Sequence, residues 1–312
     1  MANVNEVVKK FVEEVIAISE RDGVLPWHQP WKNGSMINSP SWSRRSVKAD
    51  GSITQRYSTF NSILLSYGYD PEKKRMEFDG LCGEWATFND IKADGGKVIK
   101  GSKGRHVVFF SFIESKDKDG NPIFTEDGKK KVHPMLRYYT VFHVETMTDL
   151  EPKSDGTNVM RAPIEDLEAI IKDYLKRDGR LTFKPRNSDR AYYSPTQDMV
   201  VAPSIDQYTD VAEYYSTTFH ELVHSTGHKS RLDRGFEKNV AFGSADYSRE
   251  ELVAEIGSAS IMALTEYGNK KTKNNSVAYV QGWLKALKDD TNMLMWASNR
   301  ADKAVELILG VQ

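Results

Sequence analysis

Within this 312-residue chain, the residues best equipped for chemistry are His220-Glu221-Leu222-Val223-His224. On a helix, a four-residue spacing sets both imidazoles on one face about one turn apart, so two neutral ring nitrogens can reach one metal ion. Zinc suits such a pair, and Mn2+ or Co2+ can occupy the same ligands. Glu221 then stands as the catalytic base. The metal lowers the pKa of water toward neutrality and polarises a substrate carbonyl, while the carboxylate takes the proton and passes it to the leaving amine. That chemistry is peptide-bond hydrolysis. With 7 histidines in the chain, a chance match has odds of roughly 1%, so the surrounding residues must agree with it.

They do so through the elements that would position the motif. A helix is predicted from about Asp210 to Thr226, with Val211, Tyr214, Tyr215, Thr218, Phe219, Leu222 and Val223 giving it a side to bury and Gly227 a stop. The next predicted helix, about Arg249 to Tyr267, carries Glu251-Leu-Val-Ala-Glu255, two carboxylates one turn apart that can face the first helix. A catalytic metal needs a third protein ligand, and its imidazoles need acceptors behind them. Glu251 is read as the ligand and Glu255 as the acceptor, with the reverse assignment open. Glu250 is read as an exposed helix acid, and His228 as a residue lining the cleft without binding metal. Ala191 to Pro203 reads as strand, turn and strand, an edge on which an extended peptide could pair.

The rest of the chain reads as α+β. A helix is expected from Asn5 to Ser19, another from Thr59 to Tyr67 and a short one from Trp85 to Asp94. His106 to Ile113 and Leu136 to Glu145 are rich in strand formers, and between them a charged segment, Lys116 to Lys131, holds turns at Asp119-Gly120 and Asp127-Gly128. Glu151 to Ala162 is polar and lacks an apolar period, dividing an N-terminal mixed domain with an antiparallel sheet (1–152) from a mainly helical one (160–312). Further helices are predicted at Pro163 to Arg177, Val277 to Leu287 and Thr291 to Leu309. The single cysteine, Cys82, excludes an internal disulfide and a thiolate metal site. No apolar run approaches the roughly 20 residues a bilayer requires, and the N-terminus lacks a signal-peptide core, so a cytoplasmic protein is expected. The formal net charge of -1 gives no bulk affinity for nucleic acid, yet Lys97, Lys100, Lys103 and Arg105 cluster, as do Arg44 and Arg45.

Beyond these separate signals, HELVHSTGHKSRLDR (His220 to Arg234) and REELVAEIGSA (Arg249 to Ala259) stand with LPWHQPW (Leu25 to Trp31), YSTFNSILL (Tyr57 to Leu65), WATFNDIKADGGKVIKGSKGRHVVFF (Trp85 to Phe110) and YYTVFHVETM (Tyr138 to Met147). Over nearly its whole length the chain resembles the ArdC antirestriction family of plasmid and phage proteins. The resemblance implies an N-terminal domain that binds single-stranded DNA and a C-terminal metallopeptidase domain similar to SprT/Spartan proteases. It also implies protection of incoming DNA from restriction in a bacterial host; a DNA-bound protein or a host restriction enzyme is the substrate expected of a peptidase carried to DNA in this way. The longer charged hairpin, Lys116 to Lys131, departs from the family. Chemically, Lys97, Lys100, Lys103 and Arg105 lie among Gly95, Gly96, Gly101 and Gly104, where backbone amides can approach phosphates. Trp27, Trp31 and Tyr57 could stack on bases, with core packing an equal reading for the two tryptophans. The alternative function is a DNA-coating protein whose metal site is structural or vestigial.

Overall fold

The computed structural model describes residues 4–28, 57–79, 81, 83–125, 128, 130–151, 164–235, 245–263 and 277–311. Helix α1 (Val4–Asp22) buries Val8, Val12, Val15 and Ile16, the one-sided stripe its spacing predicts. A single 3-10 turn follows at Pro26–His28. Helix α2 (Thr59–Leu65) is capped by the Ser58 hydroxyl, which accepts from the Asn61 amide. It stops short of the expected Tyr67, which instead opens β1 (Tyr67–Asp70), paired antiparallel with β2 (Arg75–Phe78).

Likewise, the expected Trp85 to Asp94 helix begins only at Phe88. Trp85–Thr87 is a strand, β3, paired with β6, and Thr87 caps α3 (Phe88–Ala93) by accepting from the Asp90 amide. After the two-residue β4 (Lys97–Val98), β5 (Arg105–Glu114) and β6 (Val132–His143) form a long antiparallel hairpin in register Val107 to Tyr139 and Val108 to Tyr138. In this sheet β6 is central, between β3 and β5, while β4 pairs with β7 (Met147–Thr148). The charged connection folds back on itself through bridges from Lys116 to Pro122 and Phe124 to Lys130. Its Gly120 and Gly128 adopt positive φ, the freedom that Asp-Gly turns supply.

Helix α4 (Ile164–Asp178) leads into β8 (Thr182–Arg186), β9 (Tyr192–Ser194) and β10 (Met199–Pro203). Strand β10 is central, parallel to β8 and antiparallel to β9, with Val200, Val201 and Ala202 fully buried. The exposed edge beside the expected hairpin is therefore β9. Helices α5 (Val211–Thr226), α6 (Ala245–Met262), α7 (Val277–Asp289) and α8 (Met293–Leu309) complete the chain, and the α+β class expected from the sequence holds.

One apolar cluster joins the two halves. It contains α1 (Val8, Val12, Val15), α2 (Phe60, Ile63), the α5–α6 pair, α7 (Trp283, Leu284, Leu287) and α8 (Leu294, Ala297, Ala301). Helix α1 lies against α7 and α2 against α8. The Asp302 carboxylate of α8 accepts from the Thr59 amide at 3.0 Å, at the start of α2. Among the described residues no helix is long and apolar enough to cross a membrane.

Candidate metal centre

Helix α5 starts where Asp210 accepts from the Ala212 amide and runs without interruption through both histidines. Its central residues, Phe219, Leu222 and Val223, are fully buried, which fixes the rotation of the helix and the direction of His220 and His224. The two Nε2 atoms approach to 3.1 Å. Helix α6 supplies Glu251, whose Oε2 lies 3.4 Å from His220 Nε2 and whose Oε1 lies 3.4 Å from His224 Nε2. One ligand atom from each of the three residues falls within 4.8 Å of the others. Glycine makes this approach of helices possible, because a Cβ on Gly257 would meet Val223 Cγ2 at 2.9 Å. The Ser258 hydroxyl locks the contact by donating to the Ser216 carbonyl at 2.7 Å.

Behind the ligands stands a second set of carboxylates. Glu255 Oε1 is 3.6 Å from His220 Nδ1, in the direction expected of it. Glu250 Oε1 is 3.5 Å from His224 Nδ1. The exposed position expected for Glu250 is thus corrected, since it is only 9% exposed and accepts from Arg234 Nε at 2.9 Å. Arg234 also donates to the Thr226 hydroxyl at 2.6 Å and the Val223 carbonyl at 2.8 Å, tying the end of α5 to α6. Gly227, expected as a helix stop, is not left-handed. Its φ is -75°, and it leaves room for Arg234, whose guanidinium would lie 2.9 Å from an added Cβ. A signal for Glu250 was present in the sequence: Leu252, Val253, Ala254 and Ile256 place apolar side chains all round α6. A helix buried on every side cannot leave its acids in water.

The electrostatics favour a cation. Burial opposes charge on His220, but the carboxylate of Glu251, then those of Glu255 and Glu221, outweigh burial and raise its pKa. For His224 the same opposition from burial is overcome by Glu250 and Glu251. Burial pushes Glu251 up, and the two imidazoles hold it well below the usual carboxylate range. Glu250 is lowered against burial by His224 and Arg234. Four carboxylates thus surround two imidazoles, and a positive charge between them is strongly favoured. Two convergent imidazole nitrogens and a carboxylate oxygen, with each Nδ1 facing a further carboxylate, fit a divalent cation in place of those protons. Glu221, beside His220 on α5, is buried. His228 is outside this group, its Nδ1 engaged by the Ser230 hydroxyl at 2.8 Å.

The N-terminal candidates separate. Lys100 and Lys103 are exposed, and Lys97 pairs with Asp149 at 3.2 Å. Arg105 is committed internally: it binds the Asp79 carboxylate and Leu65 carbonyl and lies 5.2 Å over the Trp85 ring. Trp27 is 3% exposed and meets Trp283 edge-on at 6.4 Å, and Tyr57 is buried against Phe109 at 6.5 Å. Neither ring offers a face for a base: of the two readings open for Trp27, core packing is the one the burial supports, and for Tyr57 core packing replaces the stacking expected. Trp31, Arg44 and Arg45 lie outside the described residues. Among the exposed aromatics that the sequence reading missed are Tyr138 (37%) and Tyr139 (41%) on β6, with Arg137 exposed beside them.

Family models match the chain in two stretches: the N-terminal domain of anti-restriction factor ArdC over residues 5–142 and a zincin-like metallopeptidase over 173–300. The metal-free crystal structure of antirestriction protein ArdC from the R388 plasmid matches with a TM-score of 0.67 and 30% identity, covering 96% of each chain. The chain belongs to the ArdC antirestriction family. The Mn(II)-bound structure of the same R388 ArdC matches with a TM-score of 0.65 and 29% identity, covering 97% of each chain. A DNA primase TraC of Escherichia coli is 31% identical over 98% of this chain, which spans only 20% of that protein's length. The matched region is thus a segment of a much longer protein.

Proposed function

We propose that this ArdC family member is an antirestriction protein whose N-terminal half (1–152) holds single-stranded DNA and whose C-terminal half (160–312) is a zinc-dependent peptidase. On this reading it acts in the bacterial cytoplasm on a protein bound to incoming plasmid or phage DNA, such as a restriction enzyme. The observation that carries the reading is the convergence of His220, His224 and Glu251 on one point with Glu221 on the same helix. A zinc ion held by the three ligands would supply Lewis acidity to a substrate carbonyl and to water. Manganese is the alternative, since the R388 ArdC structure has a Mn(II)-bound form.

The protein's own groups have distinct tasks. Glu221 accepts a proton from the attacking water and returns it to the leaving amine. Glu255 and Glu250 face Nδ1 of His220 and His224 and so favour the proton there, which leaves the Nε2 lone pairs facing the ligand position. Strand β9 offers a free edge to an extended peptide. On the N-terminal half, Lys100 and Lys103 meet phosphates, while Tyr138 and Tyr139, exposed on opposite faces of β6, each offer a ring to a base on their own side.

The deciding experiment compares wild-type protein with Glu221→Gln. Zinc content and oligonucleotide binding should match. Cleavage of a protein tethered to single-stranded DNA should fall at least about 100-fold, and restriction protection in cells should fall with it. Undiminished protection by the variant would reject proteolysis as the protective activity and leave DNA coating in its place.

A further inference from the structure

Among the described residues, the charged and imidazole groups named above around His220, His224 and Glu251 belong to the C-terminal half, and one further group comes from the N-terminal half. That group is His28, at the end of the Pro26–His28 turn. We infer that His28 is a positioning residue of the metal centre, through which the N-terminal half fixes the orientation of His220. The inference rests on reading His220, His224 and Glu251 as the metal ligands.

The geometry turns on Glu255, whose two oxygens are divided between two imidazoles. Oε1 lies 3.6 Å from His220 Nδ1, and Oε2 lies 3.6 Å from His28 Nε2. A carboxylate can only accept, so a ring N–H on each side favours one plane for the group. With His28 removed, the second oxygen loses that N–H, and the plane that turns the first oxygen toward His220 Nδ1 is less favoured. The acceptor at Nδ1 sets both the ring orientation and the basicity of a metal-binding imidazole. His28 Nε2 is itself buried and, among the described residues, has no hydrogen-bond partner within normal distance, and the Glu255 carboxylate is the charged group it faces there.

His28 is also held in place. Its amide donates to the Leu25 carbonyl at 2.9 Å, closing the turn. Leu25 and Trp27 are buried, and Trp27 sits edge-on against Trp283 of α7. The turn is therefore seated on the same helical core that carries the ligands, and the aromatic dipeptide Trp27-His28 has a division of labour. Trp27 anchors the turn and His28 reaches α6.

The test uses the full chain with His28→Phe, His28→Gln and Glu251→Gln. Zinc affinity is measured by competition with a chromophoric chelator, ligand geometry by the visible absorption of the cobalt-loaded protein, and folding by melting of the metal-free variants. His28→Phe keeps a ring but has no N–H, and should weaken zinc binding about tenfold and alter the cobalt spectrum. His28→Gln restores a donor and should return affinity to within about threefold of wild type. Wild-type affinity and spectrum in His28→Phe would overturn the inference. So would a His28→Gln variant as weak as His28→Phe, because packing alone would then explain the loss. Glu251→Gln separates the inference from its foundation. If it loses zinc while His28→Phe keeps it, only the role of His28 is rejected; if it keeps zinc, the ligand assignment falls and the inference with it.

Discussion

At Glu250 one carboxylate faces both an imidazole and a guanidinium, His224 on one side and Arg234 on the other. Replacing it by glutamine keeps the shape and removes the charge. His224 then loses the partner that orients its ring, and Arg234 is left buried with a neutral amide. Glu250→Gln is expected to weaken zinc binding about tenfold, as read by chelator competition, with Glu251→Gln weaker still. Equal affinity in Glu250→Gln and wild type would show that His224 needs no support from behind. That His220, Glu221 and His224 stand together was legible in the sequence because one turn of helix fixes their relationship, and the same periodicity on the next helix offered Glu251 and Glu255 without choosing between them. Arg234 was not, since its partner is sixteen residues away across a helix interface. Arg105 and Trp27 misled for the opposite reason: a cation and an aromatic ring look the same in sequence whether they face DNA or the core.

Between elements, the spacing of α5 and α6 depends on Gly257. Adding a methyl group there pushes on Val223, which neighbours the ligand His224 and has no exposed route for relief. Gly257→Ala should destabilise the chain by about 1–3 kcal/mol in urea unfolding, and by separating Glu251 from the imidazoles it should also weaken metal binding. A destabilised variant with unchanged metal affinity would show that the helices adjust without moving the ligands. A second junction is Arg231, which donates to Asp178 at the end of α4, to Asp198 in the β9–β10 turn and to the Ser225 carbonyl of α5. Burial pushes both carboxyls up, but at Asp178 the Leu181 amide and Arg231, and at Asp198 Arg231 and Tyr193, outweigh it and hold them below the ordinary value. Each therefore titrates lower in the folded chain than in the unfolded one. Their stabilisation is complete above the unfolded carboxylate value of about 3.9 and disappears as pH falls through the folded values. Asp198→Asn tests this, because asparagine tolerates the positive φ of 46° at that position. The variant should be less stable at neutral pH and lose less on acidification below about pH 4; an acid limb parallel to that of wild type would remove Asp198 from the account.

For the whole molecule, the polar stretch from Glu151 to Ala162 reads as a boundary, yet the core takes no notice of it. Helix α1 buries Val8, Val12, Val15 and Ile16 in the cluster that also holds Trp283, Leu284 and Leu287 of α7. Such contact between distant segments has no local sequence signature, because each helix shows only that it has an apolar face and not which helix covers it. Separating 160–312 from the N-terminal half would expose several large side chains of α7 and α8. At about 1.5–3 kcal/mol for each fully buried apolar side chain, the loss approaches the whole stability of an ordinary domain, about 5–15 kcal/mol. The intact chain is accordingly expected to unfold in one transition, with tryptophan fluorescence and far-ultraviolet circular dichroism coinciding. The 160–312 fragment should fail to melt cooperatively and should bind zinc more weakly than the full chain, having lost the packing that sets α6 and α7. A monomeric fragment that melts at the temperature of the full chain and keeps its metal affinity would show instead that the shared core is an interface between two self-sufficient domains.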